Sequence, residues 1–226
     1  MTYVTFPLLR HLLRPIIIYL QKPLEPYQPL FGMEVGGRRA GRSCADRWSV
    51  IRECSVKMGF LKPGALLVDV GSSFGYFVMA AAQEGYKAIG IDTTWRLYLI
   101  QQLLGCHLGL SKKMRIIKGV VTPGFIPDLF EARPFGRDRA DVVLLLNIIQ
   151  HMLYMSNEDS VHSILDEVSR YSRAVFIELP SSTEKHYWSD RYLRKPEGLL
   201  EGKFSNGYIL LGYSKDLNRP IYVGMN

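Results

Sequence analysis

Two aspartates flank a glycine-rich turn, and this arrangement is suited to holding a small nucleotide-like molecule. Asp69 lies in an apolar run that is followed by the turn Gly71-Ser-Ser-Phe-Gly75, and Asp92 ends the next apolar run. The spacing predicts a strand, a turn, a short helix and a second strand. Glycine has no Cβ and lets the backbone approach a ligand, and the helix N-terminus attracts an anion. An acid about 20 residues beyond such a turn is placed to hold a ribose diol.

The composition of the turn indicates which ligand fits. A dinucleotide site requires the pattern G-x-G-x-x-G, whereas this turn has only the glycines at 71 and 75. The carboxylate of Asp69 would repel a pyrophosphate and attract an ammonium group. S-adenosylmethionine has no phosphate; it offers a carboxylate to the helix N-terminus, an amine to Asp69 and ribose hydroxyls to Asp92. The alternative is a βαβ unit in which the turn glycines are incidental.

This pattern resembles the first two motifs of the class I S-adenosylmethionine-dependent methyltransferases. The resemblance implies that the chain is a methyltransferase with S-adenosylmethionine as cofactor. It also implies a set of cofactor-binding residues at the turn and at the ends of neighbouring strands: Asp69, Gly71, Ser73, Gly75, Asp92, Thr93 and Asn147.

Strand and helix patterns continue in alternation beyond Asp92. They predict helices at 95–104 and 157–171, strands at 114–121, 140–146 and 174–179, and a terminal hairpin from 208–211 and 220–223. We therefore predict an α/β fold of the Rossmann-like, doubly wound type. Its sheet is mainly parallel, with a C-terminal antiparallel hairpin and an N-terminal helical extension. The predicted domains are residues 1–43, a basic and apolar extension, and residues 44–226, the methyltransferase domain.

Polar residues follow the strand predicted for the centre of the sheet. Ligands of open α/β sheets bind at the carboxyl ends of strands, so we expect Asn147, Gln150 and His151 to face the site, with Gln150 contacting substrate. His151 is the candidate general base, because its unperturbed pKa lies near neutrality; the alternative is a histidine packed under a helix. Glu178 is a second catalytic candidate, because a carboxylate within an apolar strand is costly unless it is paired. A structural pair with an arginine is the alternative.

A helix predicted at 44–58, with Asp46 as its N-cap, precedes the first strand. In the resembled enzymes this helix often lies over the cofactor, which makes Arg47 and Trp48 candidate substrate residues; packing is the alternative for Trp48. The resembled enzymes usually carry an acidic or polar adenine contact after the third strand. Here that strand ends in Gly119-Val-Val-Thr122 and has no acid.

The N-terminal segment 6–20, FPLLRHLLRPIIIYL, is shorter than the roughly 20 apolar residues of a membrane span and is interrupted by charges and a proline. It also lacks the cleavage pattern of a signal peptide. We expect no transmembrane span. The segment either packs on the domain or makes peripheral membrane contact with its basic residues at lipid phosphates.

Composition is that of a globular enzyme with basic excess. The net charge is +7, and residues 1–60 hold nine Lys/Arg against four Asp/Glu. Such surfaces favour nucleic acid, anionic lipid or phosphorylated substrates, or are simply solvated. The three cysteines form no motif with metal-ligand spacing, so no metal site is expected, and they suit a reducing, cytoplasmic compartment with or without peripheral attachment to a membrane.

The sequence leaves several classes of methyl acceptor open. The sequence 176–180 followed by Tyr187-Trp188, and the ending around 211–222, loosely resemble the Bicoid-interacting RNA methyltransferases and equally resemble methyltransferases of sugar and lipid-envelope biosynthesis. The first hypothesis is O-methylation of a small or lipid- or sugar-linked acceptor. The alternatives are an RNA acceptor and a catalytically silent protein that binds S-adenosylmethionine or only a partner.

Overall fold

The computed structural model describes residues 7–21, 28–33, 44–180, 196–215 and 218–226, with side chains from residue 13 onward. The Tyr187–Trp188 pair lies outside these residues. The described helices are α1 (Pro7–Gln21), α2 (Cys44–Lys57), α3 (Tyr76–Gln83), α4 (Trp95–His107), α5 (Phe125–Glu131), α6 (Ile149–Met155) and α7 (Glu158–Arg170). The strands are β1 (Leu66–Val70), β2 (Lys87–Asp92), β3 (Met114–Lys118), β4 (Ala140–Leu146), β5 (Ser172–Glu178), β6 (Tyr208–Tyr213) and β7 (Pro220–Met225).

The described strands form one sheet in the order β3-β2-β1-β4-β5-β7-β6. Strands β1 to β5 run parallel, whereas β7 is antiparallel to both β5 and β6. The predicted α/β fold and its C-terminal antiparallel pair are confirmed. The chain order reverses between β1 and β4, and in open sheets ligands bind outside the carboxyl ends of strands at such a point.

Both faces of the sheet are covered by helices, as parallel strands require. Leu67, Leu144 and Phe176 face one buried cluster, to which α1 to α4 contribute. Val68 and Val143 face the second, with α5 to α7. Asp69 and Glu178 continue the alternation of the first face, so both carboxylates point toward the α1–α4 side of the sheet.

Several element boundaries differ from the sequence prediction. Helix α4 continues to His107, and β3 ends at Lys118 rather than at residue 121. Helix α2 begins at Cys44 as predicted, but Asp46 lies inside its first turn and is therefore not the N-cap. Asp46 instead pairs with Lys215 at 2.8 Å. Helices α5 and α6, each only seven residues long, were not predicted.

Helix α1 packs on α4 and contributes to the core of the domain. Ile17 is fully buried in the first cluster, with Leu13 and Leu20 packed against it. Leu30 and Met33 belong to the same cluster, so buried contacts cross the predicted boundary at residue 43, which stays a prediction. This geometry favours the packing role for the segment from residue 13 to residue 20; membrane contact and cytoplasmic localisation stay predictions. None of the described helices is long and apolar enough to cross a membrane.

Candidate cofactor and acceptor site

The glycine-rich turn is held against the carboxyl end of β2. The backbone N–H groups of Gly71 and Ser72 both donate to the carbonyl of Ile91, at 2.9 and 3.0 Å. Gly71 has φ 75°, and a Cβ there would lie 2.7 Å from Cδ1 of Ile148. A side chain at residue 71 is therefore strained by the left-handed backbone and would require Ile148 to shift.

Asp92 binds the turn as well as ending β2. One carboxylate oxygen accepts from the N–H of Ser73 at 2.9 Å, and the other accepts from the N–H of Thr94 at 3.1 Å. Burial raises the pKa of Asp92, while the N–H donors of Thr94, Ser73 and Thr93 act in the opposite direction. Each carboxylate oxygen can accept a further hydrogen bond, so both remain able to bind ribose hydroxyls.

Asp69 is the most unusual group of the site. Its side chain is only 2% exposed, and its Oδ2 has no hydrogen-bond partner among the described residues. Burial raises the pKa of Asp69 to about 8, and the negative charge of Asp92 adds to the rise. A buried carboxyl without a donor is costly. A cationic amine at this position would satisfy it.

The carboxyl end of β4 is shaped by Asn147 and Gln150. Asn147 has φ 57°, a left-handed conformation. The Gln150 amide donates to the backbone carbonyl and to Oδ1 of Asn147, at 2.9 and 2.7 Å. Gln150 is 1% exposed, which favours a role in supporting Asn147; its substrate contact stays a prediction.

His151 and Arg219 lie near each other at the carboxyl edge. Burial lowers the pKa of His151, and the positive charge of Arg219 lowers it further. His151 is partly buried, whereas Arg219 is fully buried immediately before β7. The pKa shift favours the neutral imidazole at pH 7, which is the form a general base requires.

Glu178 at the end of β5 forms a buried ion pair with Arg47 of α2. Arg47 Nη1 lies 2.9 Å from Glu178 Oε2, and the two side chains are 5% and 0% exposed. The pair ties the start of α2 to the carboxyl edge of the sheet. This contact favours the alternative role of Glu178, a structural pair with an arginine. It also leaves Arg47 little exposed surface for the predicted substrate contact.

Trp48 bonds a residue at the far end of α3 from the glycine-rich turn. Its indole N–H donates to Glu84, which follows the C-terminal end of α3, at 2.9 Å. The glycine-rich turn lies at the opposite end of that helix. Trp48 is also buried in the first cluster, so the geometry favours the packing role over the predicted substrate role.

Two buried polar residues of the site, Gln101 and Arg219, were not predicted from sequence. Gln101 lies on α4, and its amide contacts the glycine-rich turn. The sequence does carry a signal for its burial, because Gln101 falls at helical spacing between Leu97 and Leu104 on the apolar face of the helix. Arg219 lies between two strands of the terminal hairpin, where sequence carries no signal of burial.

A surface cleft elsewhere on the domain is unrelated to these residues. It is lined by Pro127, Phe130, Glu131, Arg133, Asp138 and Tyr171. Tyr171 directly precedes β5, and its carbonyl accepts from Ala140 at the start of β4. The cleft therefore lies at the amino edge of the sheet, opposite the glycine-rich turn.

Comparison with solved structures identifies the architecture. A structure of WbdD bound to the kinase inhibitor LY294002 superposes with a TM-score of 0.78 at 23% identity, over 93% of this chain and 47% of that one. The N-terminal domain of EvdMO1, solved with S-adenosylhomocysteine bound, gives a TM-score of 0.62 at 15% identity, over 94% and 96% of the two chains. This chain has the class I methyltransferase fold. The predicted resemblance is thereby confirmed.

Sequence comparison gives the same relative. The O-antigen chain terminator bifunctional methyltransferase/kinase WbdD of Escherichia coli is 24% identical over 208 residues, which are 89% of this chain and 28% of the relative. The class I methyltransferase fold described here thus spans less than a third of that relative's length. No protein-family model matches the chain.

Proposed function

We propose that this domain binds S-adenosylmethionine at the Gly71–Gly75 turn and transfers its methyl group to an acceptor at the carboxyl edge of β4 and β5. The observation that carries the proposal is the pair of aspartates beside the turn. Asp69 has a buried oxygen without a donor, and Asp92 keeps acceptor capacity beside the turn. The predicted enzyme class and cofactor agree with the relatives, which are methyltransferases by name or were solved with S-adenosylhomocysteine.

The residues of the turn fit this cofactor. The amine suits the buried carboxylate of Asp69, the ribose diol suits Asp92, and the turn itself admits close approach at Gly71. When bound, the cofactor supplies an activated methyl group on a sulfonium. The task of the protein is then to align the acceptor oxygen with that methyl and to exclude competing water.

We further propose that the acceptor is an oxygen of a small, sugar-linked or lipid-linked molecule. The relative WbdD is named as an O-antigen chain terminator, which supports a saccharide. We assign the proton of an acceptor hydroxyl to His151, because burial and the charge of Arg219 lower the pKa of this histidine and so favour the neutral imidazole. RNA stays the alternative acceptor, and a steep loss of binding with rising salt would distinguish it from an uncharged saccharide.

Calorimetric titration tests the cofactor assignment. We expect S-adenosylmethionine and S-adenosylhomocysteine to bind the purified protein, and NAD to show no heat of binding, because the turn lacks the G-x-G-x-x-G pattern that a pyrophosphate requires. Binding of NAD in preference to S-adenosylhomocysteine would contradict the proposal. An Asp128→Asn variant, changed at an exposed acid of α5, serves as a control for non-specific charge effects.

Cofactor affinity should depend on pH through Asp69. With a pKa of about 8, its carboxyl is neutral at pH 6 in the free protein and ionises as the pH rises. An amine on the ligand favours the ionised form, so binding below pH 8 should release a proton. We expect S-adenosylhomocysteine affinity to rise between pH 6 and pH 8, by at most about tenfold per unit.

Calorimetry in two buffers of different ionisation enthalpy would count the released protons directly. In Asp69→Asn, which cannot ionise, the proton release should vanish and the affinity at pH 8 should fall. A wild-type affinity that is flat over this range would show that the amine does not face Asp69.

Asp69 should also make the ligand-free protein less stable as pH rises from about 4 to 8, since the aspartate of the unfolded chain already ionises near 3.9.

A further inference from the structure

We propose that Gln101, on the buried face of α4, is the positioning residue that holds the cofactor turn in its binding conformation. The proposal rests on the function proposed above and adds a fully buried residue that acts on the turn from behind. Its evidence is the geometry of one side-chain amide against the turn.

The amide of Gln101 bridges two residues of the turn. Its Nε2 donates to the backbone carbonyl of Ser73 at 2.8 Å, and its Oε1 accepts from the hydroxyl of Ser72 at 3.1 Å. Gln101 and Ser72 are both fully buried. Because the amide donates at one end and accepts at the other, no apolar residue and no simple carboxylate reproduces both bonds.

Ser73 is the residue that most needs this support. Its φ of 53° is left-handed, a conformation that costs a non-glycine residue free energy unless its surroundings hold it. Asp92 accepts from its N–H at 2.9 Å, and Gln101 donates to its carbonyl. Both backbone polar groups of Ser73 are thus fixed by side chains from outside the turn.

Two glycines leave the space that the Gln101 amide occupies. A Cβ on Gly75 would lie 2.7 Å from Oε1 of Gln101, and a Cβ on Gly90 would lie 2.8 Å from the same atom. Gly75 is the second glycine of the turn, and Gly90 faces it from β2. Gly75, one of the two turn glycines that predict a cofactor site, is therefore also required for the packing of the Gln101 amide.

The consequence concerns affinity. A turn already held in its binding conformation loses little conformational freedom when the cofactor binds. Without Gln101 the turn samples other conformations, and binding must order it. The Gln101 amide bonds Ser72 and Ser73, and His151 of the proposed acceptor site takes no part in these two hydrogen bonds. We therefore expect the acceptor KM to stay unchanged while the Kd and KM of the cofactor rise together.

The test replaces Gln101 with Met, which has a similar length and makes neither hydrogen bond. We expect Gln101→Met to weaken S-adenosylhomocysteine binding about 10-fold, as expected for two lost hydrogen bonds. Hydrogen exchange of the segment 71–76 in the free protein should become faster. Gln102→Met, at the exposed neighbouring position on the same helix, should change neither measurement.

A Gln101→Glu variant provides a rescue that a purely structural role would not produce. Its buried carboxyl is charged at high pH and repelled by Asp92, but once protonated it can donate to Ser73 and accept from Ser72. The ratio of its affinity to that of wild type should therefore recover as pH falls from 8 to 5.5, whereas the ratio for Gln101→Met should stay constant.

The outcomes separate this inference from the proposed function. If wild type binds no S-adenosylhomocysteine, the cofactor assignment fails first. If wild type binds and Gln101→Met binds within twofold of it, or Gln101→Glu shows no recovery, the positioning role is overturned. A lowered melting temperature with unchanged affinity would likewise overturn it, because that result indicates a packing role only.

Discussion

Replacing Arg47 with Met is expected to lower the free energy of unfolding by about 3–5 kcal/mol, the cost of breaking a buried ion pair from one side. Glu178 is fully buried at the end of β5, and the guanidinium of Arg47 lies 2.9 Å from it. Without the arginine, the carboxylate keeps its desolvation cost and loses this ion pair. Urea denaturation at pH 7, followed by circular dichroism, measures the change.

The chain offers a matched control on the same helix. Arg52 also pairs with a glutamate, Glu84, but its side chain is 47% exposed. Solvent screens that pair, so Arg52→Met should change stability little. A second comparison is the double variant Arg47→Met with Glu178→Gln, which removes both charges and should recover much of the loss. Equal stabilities for Arg47→Met and wild type would show that the pair does not hold α2 to the sheet.

The same pair illustrates what sequence could predict at this site. Glu178 stands out as a charge within the strand AVFIEL, and the sequence therefore predicts that it needs a partner. The partner's identity depends on where α2 lies over the sheet, which is a tertiary contact across 131 residues. No local pattern carries that information, so a catalytic and a structural role were both open until the structure placed Arg47.

The cofactor turn was predictable because its signals are local. Glycines at 71 and 75 and aspartates at 69 and 92 lie within one βαβ unit, so sequence spacing fixes their arrangement. Gln101 lies only one helix further, yet its role depends on the side-chain direction of α4 against β2. Helices α5 and α6 escaped prediction for a different reason, since at seven residues each they are too short to display two periods of an apolar stripe.

Replacing Asp92 with Ala is expected to weaken S-adenosylhomocysteine binding by about 100-fold or more, since charge-assisted hydrogen bonds are worth about 1.5–3 kcal/mol each. The carboxylate accepts from the N–H groups of Ser73 and Thr94 and, in the proposed site, from the ribose hydroxyls. The substitution therefore removes a direct ligand contact and one support of the turn. Calorimetry against Asp159→Ala, changed at an exposed acid of α7, measures the specific loss.

A ligand change separates these two contributions. The 2′-deoxy analogue of S-adenosylhomocysteine lacks one hydroxyl that Asp92 is proposed to bind. Wild type should prefer the parent ligand by about tenfold, the value of one hydrogen bond to a charged group, and Asp92→Ala should bind the two ligands nearly equally. If both proteins discriminate to the same extent, Asp92 does not bind that hydroxyl, and its effect on affinity acts through the N–H groups of Ser73 and Thr94. That result would shift the ribose contact to another residue while leaving Asp92, like Gln101, as a support of the turn.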